Sequence, residues 1–243
     1  MKLGNGGRWL AAWGIVLGMM ASASRAADEV PTTLKPVPRE GQQMARHEKF
    51  NERVKQGNVD LVLIGDSITQ GWEGAGKDAW EKHYAKRNAV NLGIGGDRTQ
   101  HVLWRLEHGN IDGISPKLAV LMIGTNNSNG SDNTAEEIGA GISAIVAKLR
   151  EKLPQTKVLI LAVFPRGQKP GPQREKNAKA SEIASKLADN QNVFFLDIGS
   201  KFLQPDGSLS ADIMPDYLHL SPKGYEIWAE AIEPSVAQLM GEK

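Results

Sequence analysis

The chain contains no cysteine, which excludes a disulfide framework and a lipid-modified cysteine behind an export signal. It also lacks an excess of charge of either sign. Lys and Arg number 29 against 28 Asp and Glu, giving a net charge of +1. No basic stripe or charge block interrupts that balance, so nothing points to nucleic acid or to an anionic membrane as a partner. No His-x-x-x-His, His-Glu-x-x-His or carboxylate cluster occurs, and no metal is expected. Beyond Met20 no apolar stretch approaches the roughly 20 residues needed to cross a bilayer. No internal repeat is evident.

What is present begins with an export pattern. Lys2 and Arg8 give a positive start, and Trp9 to Met20 is a short apolar core. Ser24 and Ala26 suit cleavage before Ala27, while Ala21 and Ala23 suit an earlier cut. A membrane anchor is the alternative, but the apolar stretch is too short to span comfortably. Residues 1–26 therefore read as a signal peptide, and the protein as periplasmic or secreted without stable membrane insertion. Residues 27–38 carry Pro31, Pro36 and Pro38 and read as an extended leader. Residues 39–243 suit one domain with a full core.

Within that domain two periods alternate. Arg39 to Lys55 is mostly polar, with Met44, Phe50 and Val54 spaced for one helical face. Apolar runs of strand length follow at Val59–Ile64, Ala89–Leu92, Leu118–Ile123, Lys157–Val163 and Val193–Leu196. Helical patterns separate them at Thr99–Glu107, Asn133–Lys152 and Gln173–Ala188, and a last helix runs from about Pro222 to Met240. Thr134 with Glu137 makes a capping box, and Ser221-Pro222 a cap before a first-turn proline. Near-continuously apolar strands fit a sheet covered by helices on both faces. The expected fold is α/β: three layers, with a five-stranded parallel sheet in the flavodoxin-like order 2-1-3-4-5.

In such a fold, chemistry sits on loops beyond the carboxyl ends of the strands. Four of these loops are unusual. Gly65-Asp66-Ser67 presents a serine directly after the first strand. Serine needs a base to become a nucleophile, and the same residue could simply cap the helix that follows. Thr69 stands where a nucleophile elbow would have its second glycine, which argues against that hydrolase class. Asn91-Leu92-Gly93-Ile94-Gly95-Gly96-Asp97 offers backbone N–H groups to an oxyanion, or is a plain tight turn. It is not a dinucleotide fingerprint, because Arg98 takes the place of the third glycine. Gly124-Thr125-Asn126-Asn127 supplies a neutral amide donor, or ordinary turn residues. Asp216-Tyr217-Leu218-His219 holds a general base and a carboxylate to orient it, although structural Asp–His pairs are common. His47 and His83 sit among charged residues and read as surface. His101 and His108 lie on or after a helical stretch and suit packing or helix-end roles. Asp66 is expected to brace the serine turn through backbone hydrogen bonds.

These four blocks, in this order, resemble the SGNH (GDSL) hydrolase family. Within it the chain most resembles the catalytic subunits of intracellular platelet-activating-factor acetylhydrolase Ib. Gly93 to Asp97, His101 to Leu106, Gly124 to Asn127, Pro165 to Gly167, Lys176 to Ala178 and Leu218 to Leu220 carry the likeness. It covers roughly residues 39–240. The resemblance implies that Ser67 is the nucleophile, His219 the base and Asp216 its orienting carboxylate. It implies oxyanion donors at the Ser67 N–H, the Gly96 N–H and the Asn126 side chain, and no cofactor. The reaction it implies is ester hydrolysis through an acyl-serine. Those relatives are cytosolic whereas this chain reads as exported, so a carbohydrate or other small ester is the expected substrate, and the small site of such relatives implies a short acyl group, acetyl first. A lipase, lysophospholipase or thioesterase for longer chains is the alternative, and a non-catalytic binding protein a remoter one. The resemblance allows a homodimer.

Overall fold

Parallel strands put every strand's carboxyl end on one edge of a sheet, and that edge organises the molecule. The computed structural model describes residues 30–242 together with Met1. Apart from Met1, the expected export signal lies outside the described residues. In chain order the elements are helix α1 (Gly41–Lys55), strand β1 (Leu61–Gly65), the short helix α2 (Ser67–Gln70), α3 (Lys77–His83), β2 (Ala89–Gly93), α4 (Thr99–Glu107), β3 (Leu118–Met122), α5 (Ala135–Lys152), β4 (Lys157–Leu161), α6 (Pro172–Ser185), β5 (Val193–Leu196) and α7 (Pro222–Met240). The strand order is β2-β1-β3-β4-β5, as the alternation of periods predicts. All four pairings are parallel, with Leu61 opposite Ala89 on one side and Leu118 on the other.

Alternate strand residues serve two cores. Val62, Ile64, Val90, Leu92, Ala119, Leu121, Val158 and Ile160 pack under α1, α4, α5 and α6. Leu61, Leu63, Leu118, Val120, Met122, Leu159 and Leu161 face α3, α7 and the segment leading into α7. Burial on both faces explains why the strands read as unbroken apolar runs. Each fully buried Leu or Ile is worth about 1.5–3 kcal/mol of removal from water. No helix among the described residues is long and apolar enough to cross a membrane.

The helix ends follow the sequence. Thr134 and Glu137 form the reciprocal capping box, with bonds of 3.2 and 2.9 Å. Ser221 Oγ accepts from Gly224 N–H at 3.2 Å and starts α7 beside Pro222. Two expectations change. Thr32–Leu34, inside the segment read as an extended leader, form one 3-10 turn. There Thr33 is buried, and its carbonyl accepts from Thr99 Oγ1 at 3.2 Å. Between the first two strands, where no helix is expected from the sequence, α3 starts at Lys77, and Trp72 before it is 1% exposed. Trp72 packs against Tyr225, Trp228 and Tyr84 at ring-centroid distances of 4.7, 4.8 and 5.3 Å.

Candidate functional site

The site starts with a helix that is capped by the residue before it. Asp66, directly beyond β1, is the N-cap of α2, and its Oδ1 accepts from Ile68 N–H at 3.0 Å. Ser67 is then the first helical residue, and its hydroxyl is not used for capping. The capping alternative for Ser67 is thereby removed. The Ser67 N–H belongs to the unpaired first turn of a helix and has no acceptor among the described residues. From the other side, Tyr225 of α7 donates its hydroxyl to the Ile68 carbonyl at 2.7 Å. That bond fixes α2 against α7, and the loop entering α7 carries Asp216 and His219.

Ser67 Oγ lies 2.9 Å from His219 Nε2, and His219 Nδ1 lies 2.7 Å from Asp216 Oδ2. The three residues predicted from sequence are thus joined in one chain of hydrogen bonds. Tyr217 makes the turn possible by taking a left-handed conformation, φ +58°. This is rare for a residue with a Cβ and typical of functional loops. It lets Asp216 Oδ1 accept from both Leu218 N–H (3.0 Å) and His219 N–H (2.7 Å) while Oδ2 holds the ring. Burial pushes the Asp216 carboxyl up, but the His219 ring and the two backbone N–H groups more than offset it, and the net shift is downward. An ionised Asp216 holds the Nδ1–H tautomer of His219, leaving Nε2 as acceptor toward serine. Both side chains are open to solvent, His219 at 45% and Asp216 at 56%.

Opposite the serine is the glycine loop after β2. Ile94 to Asp97 is a β-turn closed by Asp97 N–H to the Ile94 carbonyl at 3.1 Å. Gly96 stands at its third position with φ +77°, a type II arrangement that favours glycine. The central peptide's Gly96 N–H has no acceptor among the described residues. Gln70, at the end of α2, accepts from Gly95 N–H at 2.7 Å and ties this turn to the serine helix. Gly93 permits that approach, since a Cβ there would run into the Gln70 backbone nitrogen. Asn126 Nδ2 donates to the Asp97 carbonyl at 2.9 Å, which brings the loop after β3 to the same place. Asn126 keeps a second amide hydrogen for another acceptor. Its neighbour Asn127 is structural: buried, it accepts from Thr99 N–H at 3.0 Å and donates to Asn133 at 3.1 Å.

Beneath the site runs a network the sequence did not suggest. Arg105 on α4 is 2% exposed. It donates to Asp97 Oδ2 (2.8 Å), the Gly65 carbonyl (3.0 Å) and Asn110 Oδ1 (2.9 Å). One guanidinium therefore links the serine strand, the glycine loop and the loop after α4. Arg166 Nη1 donates to the Thr125 carbonyl, Thr125 Oγ1 and Asn129 Oδ1 at 3.1–3.2 Å. Gly167 N–H binds the Tyr217 carbonyl at 2.8 Å, joining that segment to the histidine loop. Arg98 turns away and pairs with Asp132 at 2.6 Å. Among the described residues no group of three or more histidines and carboxylates is placed to hold a metal.

Asp66 has a further property. It is wholly buried, and its Oδ2 has no hydrogen-bond partner among the described residues. Burial pushes its carboxyl up to about 7, helped by the Asp97 charge and opposed by Ile68 N–H, His219 and Arg166. The folded protein therefore holds this proton at pH values where the unfolded chain has released it. Stability from this group is complete below about pH 4 and is lost as pH rises to about 7. Asp66→Asn keeps the cap and removes the titration. Relative to the variant, the wild type is expected to lose on the order of 4 kcal/mol across that window. Thermal unfolding of both from pH 4 to 8 is the check, and parallel curves would refute it.

Comparison with known proteins places these features. Residues 63–227 match the sequence model of the GDSL-like lipase/acylhydrolase family. The chain is similar to the human platelet-activating factor acetylhydrolase IB subunit alpha1, 39% identical over 213 residues, covering 87% of this chain and 90% of that one. Its fold is similar to a GDSL-like lipase from Bacteroides thetaiotaomicron, with TM-score 0.60, 20% identity and coverage of 80% and 97%. It is also similar to an acetylxylan esterase from Geobacillus stearothermophilus, with TM-score 0.58, 20% identity and coverage of 77% and 96%.

Proposed function

The chain belongs to the GDSL-like lipase/acylhydrolase family and is a serine ester hydrolase, and from that premise we propose an exported enzyme that removes acetyl or similarly short acyl groups from a carbohydrate or other small ester. The observation that carries the chemistry is the continuous Ser67–His219–Asp216 relay, with bonds of 2.9 and 2.7 Å. In this reading Ser67 Oγ attacks the ester carbonyl while His219 Nε2 takes its proton. The negative charge on the carbonyl oxygen is met by the Ser67 N–H, the Gly96 N–H and the second amide hydrogen of Asn126. His219 then returns the proton to the leaving alcohol. A water molecule deprotonated by His219 attacks the acyl-serine, and collapse releases the acid and regenerates the serine. Asp66 acts only through the helix it caps.

Support for a short acyl group comes from the segment after the serine helix. Trp72 and Ala79, apolar residues that could have walled an acyl groove, are turned into the aromatic core at 1% and 5% exposure. The printed names of two similar proteins, an acetylhydrolase and an acetylxylan esterase, point the same way. Export rests on the residue 1–26 pattern, and an exported esterase meets polymeric substrates outside the cell. Turnover of p-nitrophenyl esters from acetate to palmitate tests the acyl length. The expected order is acetate fastest, falling by about tenfold or more for long acyl groups, which corresponds to about 1.4 kcal/mol of transition-state stabilisation. Rates that climb beyond eight carbons would move the enzyme to the lipase and thioesterase side. A signal cut before Ala27 would appear as a new N-terminus on protein recovered from the cell exterior, and recovery of the protein only from the cytoplasm, with Met1 retained, would refute export.

A further inference from the structure

Besides the Asn126 bond to the Asp97 carbonyl, the glycine turn at the site is held from three further directions, and one of them comes from outside residues 63–227, the stretch matched by the family's sequence model. Gln70 binds Gly95 N–H, Arg105 binds the Asp97 carboxylate, and Arg39 Nη1 donates to the Gly96 carbonyl at 2.8 Å. Arg39 lies just ahead of α1, whereas the family match starts at residue 63. Its guanidinium covers Gly96: a Cβ built there would meet both terminal nitrogens at 3.4 Å. With glycine at both central positions of the turn, backbone sterics do little to fix the central peptide. The direction of the Gly96 N–H depends on the bonds made around it.

Charge gives Arg39 a second task. Asp97 follows Gly96 directly, is fully buried, and has one oxygen paired with Arg105. Its other oxygen, Oδ1, has no hydrogen-bond partner among the described residues, and Arg39 Nη1 stands 3.6 Å from it. A buried anion next to an N–H that must meet developing negative charge opposes that charge. His101 adds no positive charge here. Its Nδ1 accepts from Arg98 N–H at 3.0 Å, and burial with the neighbouring arginines lowers its pKa to about 4. Arg39 and Arg105 are thus the cations that face Asp97, and Arg39 is the one on the Gly96 side.

We infer that Arg39 is a positioning residue for ester hydrolysis: it fixes the Gly96 N–H toward the oxyanion and screens that oxyanion from Asp97. This rests on the serine esterase reading above. Arg39 touches no reacting atom, and its side chain is 27% exposed, so its loss is expected to show in rate more than in folding.

The test uses the whole chain, p-nitrophenyl acetate, and a fluorophosphonate that phosphonylates active serines whatever their natural ester. Arg39→Ala is expected to lower kcat by about 10- to 100-fold with KM changed less than about threefold, since a displaced oxyanion donor acts on the transition state. The fluorophosphonate rate should fall in parallel, the melting temperature should stay within a few degrees, and added guanidinium ion at millimolar concentration should restore part of the rate. Arg39→Lys keeps the charge without the fork and should fall between the two. It carries the test if the alanine variant does not fold, and a wild-type rate for Arg39→Lys in that case overturns the assignment. Wild-type kcat in Arg39→Ala, or a rise in KM alone, also overturns it while leaving the esterase reading intact. A wild-type protein inert to both probes would sink the esterase reading and this role with it.

Discussion

Ser67→Ala is expected to lower kcat on p-nitrophenyl acetate by about 10⁴- to 10⁶-fold, the range for removing the nucleophile of a serine–histidine pair. Folding should hardly notice. Asp66, not Ser67, caps α2, and the only hydrogen bond the Ser67 hydroxyl makes among the described residues is to His219. Losing one half-buried hydrogen bond costs about 1 kcal/mol. The core around it is also untouched, because Ile68, Trp72 and Tyr225 make the packing on that side. Parallel measurement of turnover and thermal unfolding separates the two effects. A variant that keeps its activity would place the nucleophile elsewhere, and one that loses both activity and fold would leave Ser67 as a structural residue.

Asp216→Asn is the second large effect, and the geometry predicts that it exceeds Asp216→Ala. In the wild type one carboxylate oxygen accepts from two backbone N–H groups and the other from the His219 ring. Asparagine keeps its carbonyl on the two backbone donors, which turns its NH₂ toward Nδ1. The ring then carries its proton on Nε2 and cannot accept from serine. A fall of about 10³- to 10⁴-fold is expected, close to the wrong-tautomer effect in other triads. Alanine imposes no tautomer, and because Asp216 is 56% exposed, water can take the place of its carboxylate. Asp216→Ala should therefore retain more activity than Asp216→Asn. Equal rates in the two variants would mean that Asp216 contributes charge alone.

Much of the fold was legible because it depends on local patterns. Near-continuously apolar strand runs, broken only by Asn91 inside β2, alternate with helices that have a 3.6-residue face from β2 onward, and that alternation dictates a parallel sheet. Thr134–Glu137 and Ser221-Pro222 announced their helix starts through chemistry that acts within one turn. The candidate triad was legible for a related reason: Ser67 and His219 sit beside strand-end and helix-start signals that place them on one edge of the sheet.

What escaped depends on contacts between distant segments. Arg105 lies in a helix whose other residues include Gln100, Glu107 and Trp104, and nothing local marks it as turning inward. Its partners, Gly65, Asp97 and Asn110, come from the end of β1 and from two separate loops. His47 was expected at the surface among charged neighbours. It is buried instead, between Asn51, Asn110 and Trp104. His83, also expected at the surface, is largely covered and contacts Glu226 and Glu233 of α7. The left-handed Tyr217 had no sequence sign at all, since tyrosine is not a residue that favours positive φ. Trp72 adjoins the serine motif in sequence, yet the aromatic cluster under α2 claims it, and nothing local signals that.

The account rests on a covalent acyl-Ser67 intermediate, and the most direct measurement is to trap it. The protein is mixed with excess p-nitrophenyl acetate, quenched in acid within the first turnovers, digested and weighed peptide by peptide. The account predicts one added acetyl group on the peptide that contains Ser67, absent from Ser67→Ala and from the unreacted protein. Active enzyme that gives no acetylated Ser67 peptide under any quench time, or an acetyl group carried by another residue with the kinetics of turnover, would contradict it.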